Sequence, residues 1–457
     1  MLSVSVWACT VIHKYRKIKT KFALFNSADV KKFEDFIIDN ENADCARLLM
    51  SSAEWPDSPV DGLDARNLCV SSIEVRRRLR NKLPRWYSDA GMVYPNRLCG
   101  EQCSSESTAA YKAILASRIL EDVASDDRRI ADLTGGLGAD SYEFSKVCGS
   151  LLYNEMNPDL CAATRHNYAR LGVSNVVFTS VMVGRDNVRE LLEGFSPALI
   201  YLDPARRSES GRKVFMLEDC SPDLMTLKDA LLELAGDVLV KLSPMADISM
   251  LVDRLGSCVR EIHIVGSGGV HGECKELLVW MQRGWTGGAQ LACIDADEPQ
   301  HAFTFTKDEE SKAGVRFAAS QSELMDIVTG AMLFEPSSAM MKAGPYRLLA
   351  ERFGLTRLGR NVQLYLVPKE LDTDELSHLG KLFTIKSVRP FGKSEFKTIA
   401  KEWPRCEVSA RNLPLTSEEL KKKMGVGSGS NIHIFGAGCD FEDRSSARYL
   451  FVTETIV

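Results

Sequence analysis

The chain has 457 residues, with 57 basic against 62 acidic side chains and a net charge of −5, a length beyond one compact core that points to about two to four domains. An apolar content of 45%, a charged content of 26% and only 16 prolines support sizeable cores and exclude a fibre, a solenoid or a disordered tail. No apolar run approaches the roughly 20 residues of a membrane-spanning helix, and the acidic balance excludes a protein that coats nucleic acid by bulk charge while leaving a local basic patch open.

The 13 cysteines, an odd number, form no CxxC pair and no Cys/His cluster at zinc spacing, Cys99 and Cys103 being the nearest pair. That usage fits reduced, mostly buried thiols in a cytoplasm and no metal site. The apolar start, Met1 to Ile12, has no basic segment before it and no clear small-residue cleavage site. It is therefore read as a short strand or an over-extended gene start rather than a signal peptide.

From Val30 to about Leu83 apolar residues recur at helical spacing, as in Phe33, Phe36, Ile37 and Ala46, Leu49, Met50, with turn signals at Trp55-Pro56-Asp57 and Pro59 to Gly62; this predicts a small helical domain over 1–100. After breaks at Pro84, Gly91 and Pro95 comes a helix from about Ser105 to Val123. β-rich runs then alternate with helices: Ile130 to Leu133, Leu151 to Asn154, Val176 to Thr179, Ala198 to Leu202, Val238 to Leu242, Glu261 to Val265 and Leu277 to Met281. Such alternation predicts an α/β domain over 101–284 with an open, mostly parallel sheet and helices on both faces. Beyond Gly284, strands are expected at Ala289 to Ile294, Ala302 to Thr306, Leu364 to Val367 and Lys381 to Ile385, with helical stretches at Gln321 to Ile327 and Ser337 to Phe353, as α+β units over 285–385. A last unit, 386–457, has a strand at Cys406 to Ala410, a helix Ser417 to Met424 capped by Thr416 or Ser417, a Gly-Ser turn at Gly425 to Ser430 and strands Ile432 to Phe435 and Arg448 to Val452.

Three strand ends carry chemistry. Ala131 to Asp140 reads D-x-x-x-G-x-G between a strand and a helix, so that Gly135, Gly136 and Gly138 let the backbone approach a ligand and the helix N-terminus, with Thr134 beside it, offers free N–H groups. A pyrophosphate loop wants a third glycine where Ser141 stands; NAD is disfavoured, and a zwitterionic methionine moiety fits the acidic strand end at Asp132 better. The second strand ends Tyr153-Asn154-Glu155-Met156-Asn157, where the Glu155 carboxylate can accept both hydroxyls of a ribose. The strand Leu199 to Leu202 runs into Asp203-Pro204-Ala205-Arg206-Arg207 at the carboxyl edge, where an open α/β sheet places its site.

On these residues the chain resembles the class I S-adenosylmethionine-dependent methyltransferases over about Ser105 to Arg283, with their Rossmann-like seven-stranded sheet. More closely it resembles bacterial methyltransferases with a THUMP-like C-terminal domain, through Glu101 to Glu106, Asp132 to Asp140, Asp203 to Arg207, Val214 to Cys220, Lys241 to Met245 and Cys274 to Leu278. The likeness continues at Glu335-Pro336, Met341 to Gly344, Leu348 to Gly354 and Arg411 to Leu415. It implies a methyl-transfer domain, ferredoxin-like and THUMP-like units and an RNA substrate. It also implies an S-adenosyl-L-methionine site drawn from Gln102, Ser105, Asp132, Thr134, Gly135, Gly136, Gly138, Asp140, Glu155, Asn157, Ser180 and Asp203. Many such enzymes place an acid against the adenine after the third strand; here the chain reads Thr179-Ser180-Val181, leaving Ser180 or Asp186 for that contact. Glu101 to Glu106 also reads simply as a helix start capped by Ser104 or Ser105.

Carbon-5 methylation of a pyrimidine generally needs a cysteine thiolate at these strand ends, and none stands there. Asp203-Pro204 is similar to the D-P-P-Y motif of amine methyltransferases but has Arg206 in place of the aromatic. Resemblance to the ribose 2′-O-methyltransferases of the heat-shock rRNA type pairs Lys112, Asp203, Lys241 and Glu276 with a Lys-Asp-Lys-Glu tetrad, in which Lys241 takes the hydroxyl proton while Asp203 and Lys112 position the acceptor. Taken singly, Lys112 also reads as a solvated helix lysine, Lys241 as snorkelling and Glu276 as a partner of Lys275 or Arg283. His166 and Asn167 read as satisfied structural groups, and Arg206 and Arg207 as either phosphate ligands or partners of Glu209 and Asp219.

Basic groups at Arg76 to Lys82 with Arg85-Trp86-Tyr87, at Lys386, Arg389, Lys393, Lys397 and Lys401, and at Lys421 to Lys423 point to RNA, with a solvated helix face as the plain alternative for each. The expectation is a cytoplasmic methyltransferase acting on rRNA or tRNA, at a base nitrogen or a ribose 2′-oxygen, without membrane or metal. A non-catalytic RNA-binding or assembly factor on a degenerate scaffold, or methylation of protein or a small molecule, are the alternatives.

Overall fold

The computed structural model describes residues 27–206, 217–326 and 330–456. The apolar start, Arg207 and the stretch Val214 to Met216 lie outside them. Two compact units emerge, one of residues 1–260 with 278–287 and the other of 261–277 with 288–457.

The first unit opens with helices Ser27–Asp39, Cys45–Met50 and Ala65–Lys82, the last two started by Asp44 and Asp64, whose carboxylates accept from free N–H groups of the first turn. Two short helices, Pro84–Tyr87 and Arg97–Gln102, fill the predicted break, and helix Glu106–Ile119 follows. Strands β1 (Arg129–Asp132), β2 (Ser150–Asn154), β3 (Val176–Thr179) and β4 (Leu199–Leu202) come next, then the two-residue pair β5 (Ala205–Arg206) and β6 (Cys220–Ser221), and β7 (Asp237–Leu242). Parallel pairing of β2 with β3, β1 with β2, β1 with β4 and β4 with β7 gives the order β3-β2-β1-β4-β7, with β9 (Glu273–Gln282) beyond β7. β4 is buried at every residue, as a strand covered on both faces must be.

The N-terminal helices pack one apolar cluster of Phe33, Ile37, Leu48, Leu68 and Ile73, joined by Ala163, and share a second with the α/β part. Val75, Leu79, Trp86 and Tyr94 share one apolar cluster with Leu137, Tyr142 and Tyr168 of the α/β part. Asn167, fully buried, donates to the Val93 carbonyl and accepts from the Val93 N–H, both at 2.9 Å, and His166 bonds the Gly91 carbonyl at 3.0 Å. Both residues have the structural role expected of them.

In the second unit β10 (Gln290–Asp295) pairs parallel with β8 (Val259–Ser267) and antiparallel with β11 (Phe303–Thr306). A second sheet has the order β12-β14-β15-β13-β16-β19-β18-β17. Its members are β12 (Arg316–Phe317), β13 (Met332–Pro336), β14 (Thr356–Gly359), β15 (Val362–Val367), β16 (Gly380–Pro390), β17 (Glu407–Arg411), β18 (Ile432–Asp440) and β19 (Ser446–Thr455). Alternation along β18 sends Phe435, Ala437 and Cys439 to one core, while Ile434 joins Ile399 and Leu420 under helices Lys393–Glu402 and Ser417–Met424. The expected helix over 337–353 is two, Ser338–Ala343 and Tyr346–Phe353. Gly344 closes the first in the left-handed region at φ +79°, and Pro345 lacks the N–H that would continue it. Thr416 rather than Ser417 caps Ser417–Met424, in a reciprocal box with Glu419.

Candidate active site

All of the predicted site residues except Glu276 fall in the first unit. β1 delivers Asp132, which is 1% exposed; its carboxylate accepts from the Thr134 N–H at 3.0 Å and from the Ser141 hydroxyl. Burial pushes its pKa up to about 7, against the lowering effect of those two donors, and the neighbouring Asp140 and Asp203 charges add to the rise.

The glycine turn is shaped by what surrounds it. A Cβ on Gly135 would lie 2.1 Å from the Tyr153 ring, and one on Gly138, at φ +89°, 2.7 Å from Thr164 Cγ2. These two glycines are needed for packing. Gly136, at φ +54°, meets nothing nearer than the Thr134 carbonyl at 3.9 Å; its neighbourhood is open. Its N–H donates to Glu155 Oε2 at 3.0 Å, while Oε1 of the same carboxylate accepts from the Asn157 N–H at 2.8 Å. Glu155 therefore props the turn and keeps one further lone pair on each oxygen for a ligand hydroxyl.

The Thr134 hydroxyl accepts from the Asp203 N–H at 2.6 Å and ties two strand ends together. Asp203, followed by the partly exposed Pro204, accepts from Lys241 Nζ at 2.6 Å, with side chains 36% and 15% exposed. Lys112, by contrast, is fully buried. Its ammonium donates to Asp140 Oδ1 at 3.0 Å, the Ser104 hydroxyl at 2.9 Å and the Thr108 carbonyl at 3.4 Å, and Tyr201 donates to Asp140 Oδ2 at 2.8 Å. Burial by itself would raise the Asp140 pKa; the Lys112 and Lys241 charges and the Ser104 and Tyr201 hydroxyls outweigh it and hold the acid below its ordinary value. Lys112 and Asp140 are thus an internal pair, not groups presented to a ligand and not a solvated lysine. Glu276 is buried within the second unit.

Two of the remaining predicted cofactor residues also cap helices. Ser105 caps helix Glu106–Ile119 through the Thr108 N–H, and Asn157 caps Pro158–Arg170 through the Asp159 and Leu160 N–H groups. Gln102 and Ser180 are exposed, as is Asp186.

Two features escape a sequence reading. Asn154, 1% exposed, donates to the Leu133 and Val181 carbonyls at 3.1 and 2.9 Å and accepts from the Val181 N–H and the Thr179 hydroxyl at 3.1 and 2.9 Å. It locks the ends of β1 and β3 to β2; its only signal is an amide closing an apolar strand. Met156 and Met182, just beyond β2 and β3, are 62% and 71% exposed.

The Arg76 to Lys82 run is not a free basic face. Arg76 pairs with Glu41 at 2.9 Å and is buried, Arg77 donates to the Glu41 and Ala43 carbonyls, Arg78 pairs with Glu101, and Lys82 donates to the Gly100 and Glu101 carbonyls at 3.1 and 2.8 Å. In the second unit Lys386, Arg389 and Lys421 likewise have acidic partners. Lys393, Lys397 and Lys401 stand four residues apart on helix Lys393–Glu402, all exposed, and Lys422 and Lys423 are exposed on Ser417–Met424. Among the described residues no helix is long and apolar enough to cross a membrane, and no described cysteine is in a disulfide.

Residues 332–373 match the model of a ferredoxin-like domain family and residues 380–455 that of a THUMP domain-like family. Among curated proteins none matches the chain in sequence. The chain superimposes with a TM-score of 0.75 and 27% identity on a crystal structure from Porphyromonas gingivalis W83 that carries a provisional methyltransferase assignment, covering 95% of this chain and 100% of that one. It is also similar to an rRNA methylase from Streptococcus thermophilus, at 13% identity and TM-score 0.27 over 37% of this chain and 93% of that one. A third likeness is a Streptococcus mutans protein, likewise a provisional methyltransferase, solved with S-adenosylhomocysteine, at 14% and 0.27 over 37% and 96%; TM-scores this low carry no weight here. The α/β fold is that of a methyltransferase scaffold, followed by ferredoxin-like and THUMP-like domains.

Proposed function

We propose that the chain is an S-adenosyl-L-methionine-dependent methyltransferase of the cytoplasm that acts on RNA, rRNA or tRNA being the expected substrates, with its parts divided as the sequence divides them. The observation that carries the reading is the meeting of the Asp132 turn, Glu155 and the Asp203–Lys241 pair at one end of adjacent strands. The residues present fit the cofactor: open space faces Gly136, Glu155 has acceptor capacity for ribose hydroxyls, Asp132 offers a carboxylate to an amine, and Met156 and Met182 leave apolar surface exposed for an adenine. When bound, the cofactor supplies a sulfonium-activated methyl group. Asp203 accepts a hydrogen bond from the acceptor N–H, Lys241 fixes that carboxylate from its other side, and the proton displaced by methylation passes to Asp203 and on to water. The acceptor is a base nitrogen or a ribose 2′-hydroxyl. Full burial of Lys112 weighs for the nitrogen, because the ribose scheme asks that lysine to touch the acceptor. In the C-terminal part, the exposed lysines of helices Lys393–Glu402 and Ser417–Met424 suit RNA phosphates.

The test is incubation with isotopically labelled S-adenosylmethionine and RNA from cells lacking the gene, followed by mass spectrometry of nucleosides. Label on a base nitrogen is expected, and label on a ribose transfers the role to the tetrad reading. Absence of label from RNA with calorimetric cofactor binding intact directs the reading to protein or small-molecule substrates. Loss of cofactor binding as well selects the non-catalytic assembly factor. Lys241→Ala is expected to abolish ribose transfer but only to slow transfer to nitrogen, by about 10- to 100-fold.

A further inference from the structure

Far along the chain from the residues discussed above, the second unit brings Glu298, His301 and His378 together so that one ligand atom from each lies within 4.8 Å of the others. Glu298 and His301 belong to the turn that follows β10. That turn is well built: the Ala296 N–H donates to the Gly266 carbonyl at 2.8 Å, Asp297 accepts from the Gly268 N–H at 2.7 Å, and the His301 N–H donates to the Glu298 carbonyl at 3.1 Å. His378 comes from the last turn of helix Asp374–Leu379. Its Nδ1 is 2.6 Å from Glu298 Oε2, and its ring lies face to face on that of His301, centroids 3.5 Å apart and planes within 4°.

A carboxylate–imidazole pair accounts for Glu298 and His378 but not for a second imidazole stacked on the first. One ion bonded by both imidazoles at about 2.0–2.1 Å needs donor nitrogens about 3.3 Å apart with their in-plane lone pairs converging; the ligand atoms already lie within 4.8 Å of one another, and turning one partly exposed ring out of the stack brings the lone pairs together. A small cavity of about 10 Å³, lined by Asp295, His301, Met340 and His378 among others, adjoins them; it has the room of about one water. All three side chains are at least partly exposed, so a metal has access and the carboxylate can swing through the remaining distance. Two nitrogens and one oxygen are the ligand set of a zinc-class transition ion, with water completing the fourth position.

We propose that Glu298, His301 and His378 bind one zinc-class divalent cation, which clips the turn after β10 to helix Asp374–Leu379. No zinc-motif spacing marks the site because the third ligand is remote in the chain from the Glu-x-x-His pair.

The test is titration of the metal-free full-length protein with Co²⁺. One ion per chain is expected, with visible ligand-field bands of a tetrahedral site, without thiolate charge-transfer bands, and displaceable by Zn²⁺. His301→Ala and His378→Ala should each weaken binding at least about tenfold and Glu298→Gln about three- to tenfold, while S-adenosylmethionine binding stays unchanged. Absence of stoichiometric binding, or binding that survives the double histidine variant, overturns the proposal. If a histidine variant loses its near-ultraviolet circular dichroism, imidazole NMR of the unaltered protein decides: Zn²⁺ must shift two stacked histidines together, and unshifted resonances overturn the proposal.

Discussion

The most informative single perturbation is Asp132→Asn. Asp132 is 1% exposed and its carboxyl is pushed up to about 7, chiefly by burial, against an ordinary value near 3.9 in an unfolded chain. The folded state therefore holds the proton more tightly than the unfolded one, so the stability from this group is fully present below about pH 4 and is lost as the pH rises through about 7. Three units correspond to about 4 kcal/mol between those limits. Asparagine keeps the size, can accept from the Thr134 N–H and can donate to the Ser141 hydroxyl, but it does not titrate. Urea unfolding followed by tryptophan fluorescence should then show near-equal stability of the two proteins at pH 4.5 and an advantage of up to about 4 kcal/mol for Asp132→Asn at pH 8. In the same range a cationic amine selects the ionised carboxylate, so S-adenosylmethionine affinity, measured by calorimetry, should fall about tenfold per unit below pH 7 in the unaltered protein and lose that dependence in the variant. Parallel stability profiles for the two proteins between pH 4.5 and 8 would refute the raised pKa of the buried Asp132 carboxyl.

Other expectations follow from the same geometry. Lys112→Met leaves the Asp140 carboxylate buried without its main counter-charge and should cost about 3–5 kcal/mol; adding Asp140→Asn should restore most of it, as thermal melts of the single and double variants would reveal. Gly138→Ala forces a Cβ into Thr164 and Tyr168 at positive φ and should cost about 2–4 kcal/mol while weakening cofactor binding, readable by calorimetric titration. Asn154→Ala deletes four hydrogen bonds and strands the buried Leu133 carbonyl and the Val181 backbone, for about 2–4 kcal/mol; faster amide exchange at Val181 is the specific sign.

The elements of the α/β part were legible because their signals are local. A short apolar run ending in Asp132, Glu155 or Asp203 states both a strand and its carboxyl edge, and the glycines between Asp132 and Asp140 state the turn. β13 is not legible because Met332-Leu333-Phe334 is an apolar run too short to distinguish strand from helix, and only pairing with β15 and β16 decides it. Helix Lys393–Glu402 shows in the sequence chiefly as a series of lysines, although Phe396 and Ile399 are its buried anchors.

Side-chain partnership was less legible than position, and for one physical reason. A sequence gives the spacing of charges along the chain, whereas burial decides whether a charge faces a ligand or another charge. Lys112 and Lys241 look alike on paper; one is enclosed with Asp140 and the other meets Asp203 at the rim. The arginines after Glu74 look like a phosphate-binding face, yet their guanidiniums are directed to Glu41, Glu101 and backbone carbonyls. Both differences have one cause: partners remote in the chain claim these charges, Asp140 enclosing Lys112 and Glu41, Glu101 and backbone carbonyls engaging the N-terminal guanidiniums, while among the described residues Glu155 and the Asp203–Lys241 pair keep partial access to solvent at the strand ends.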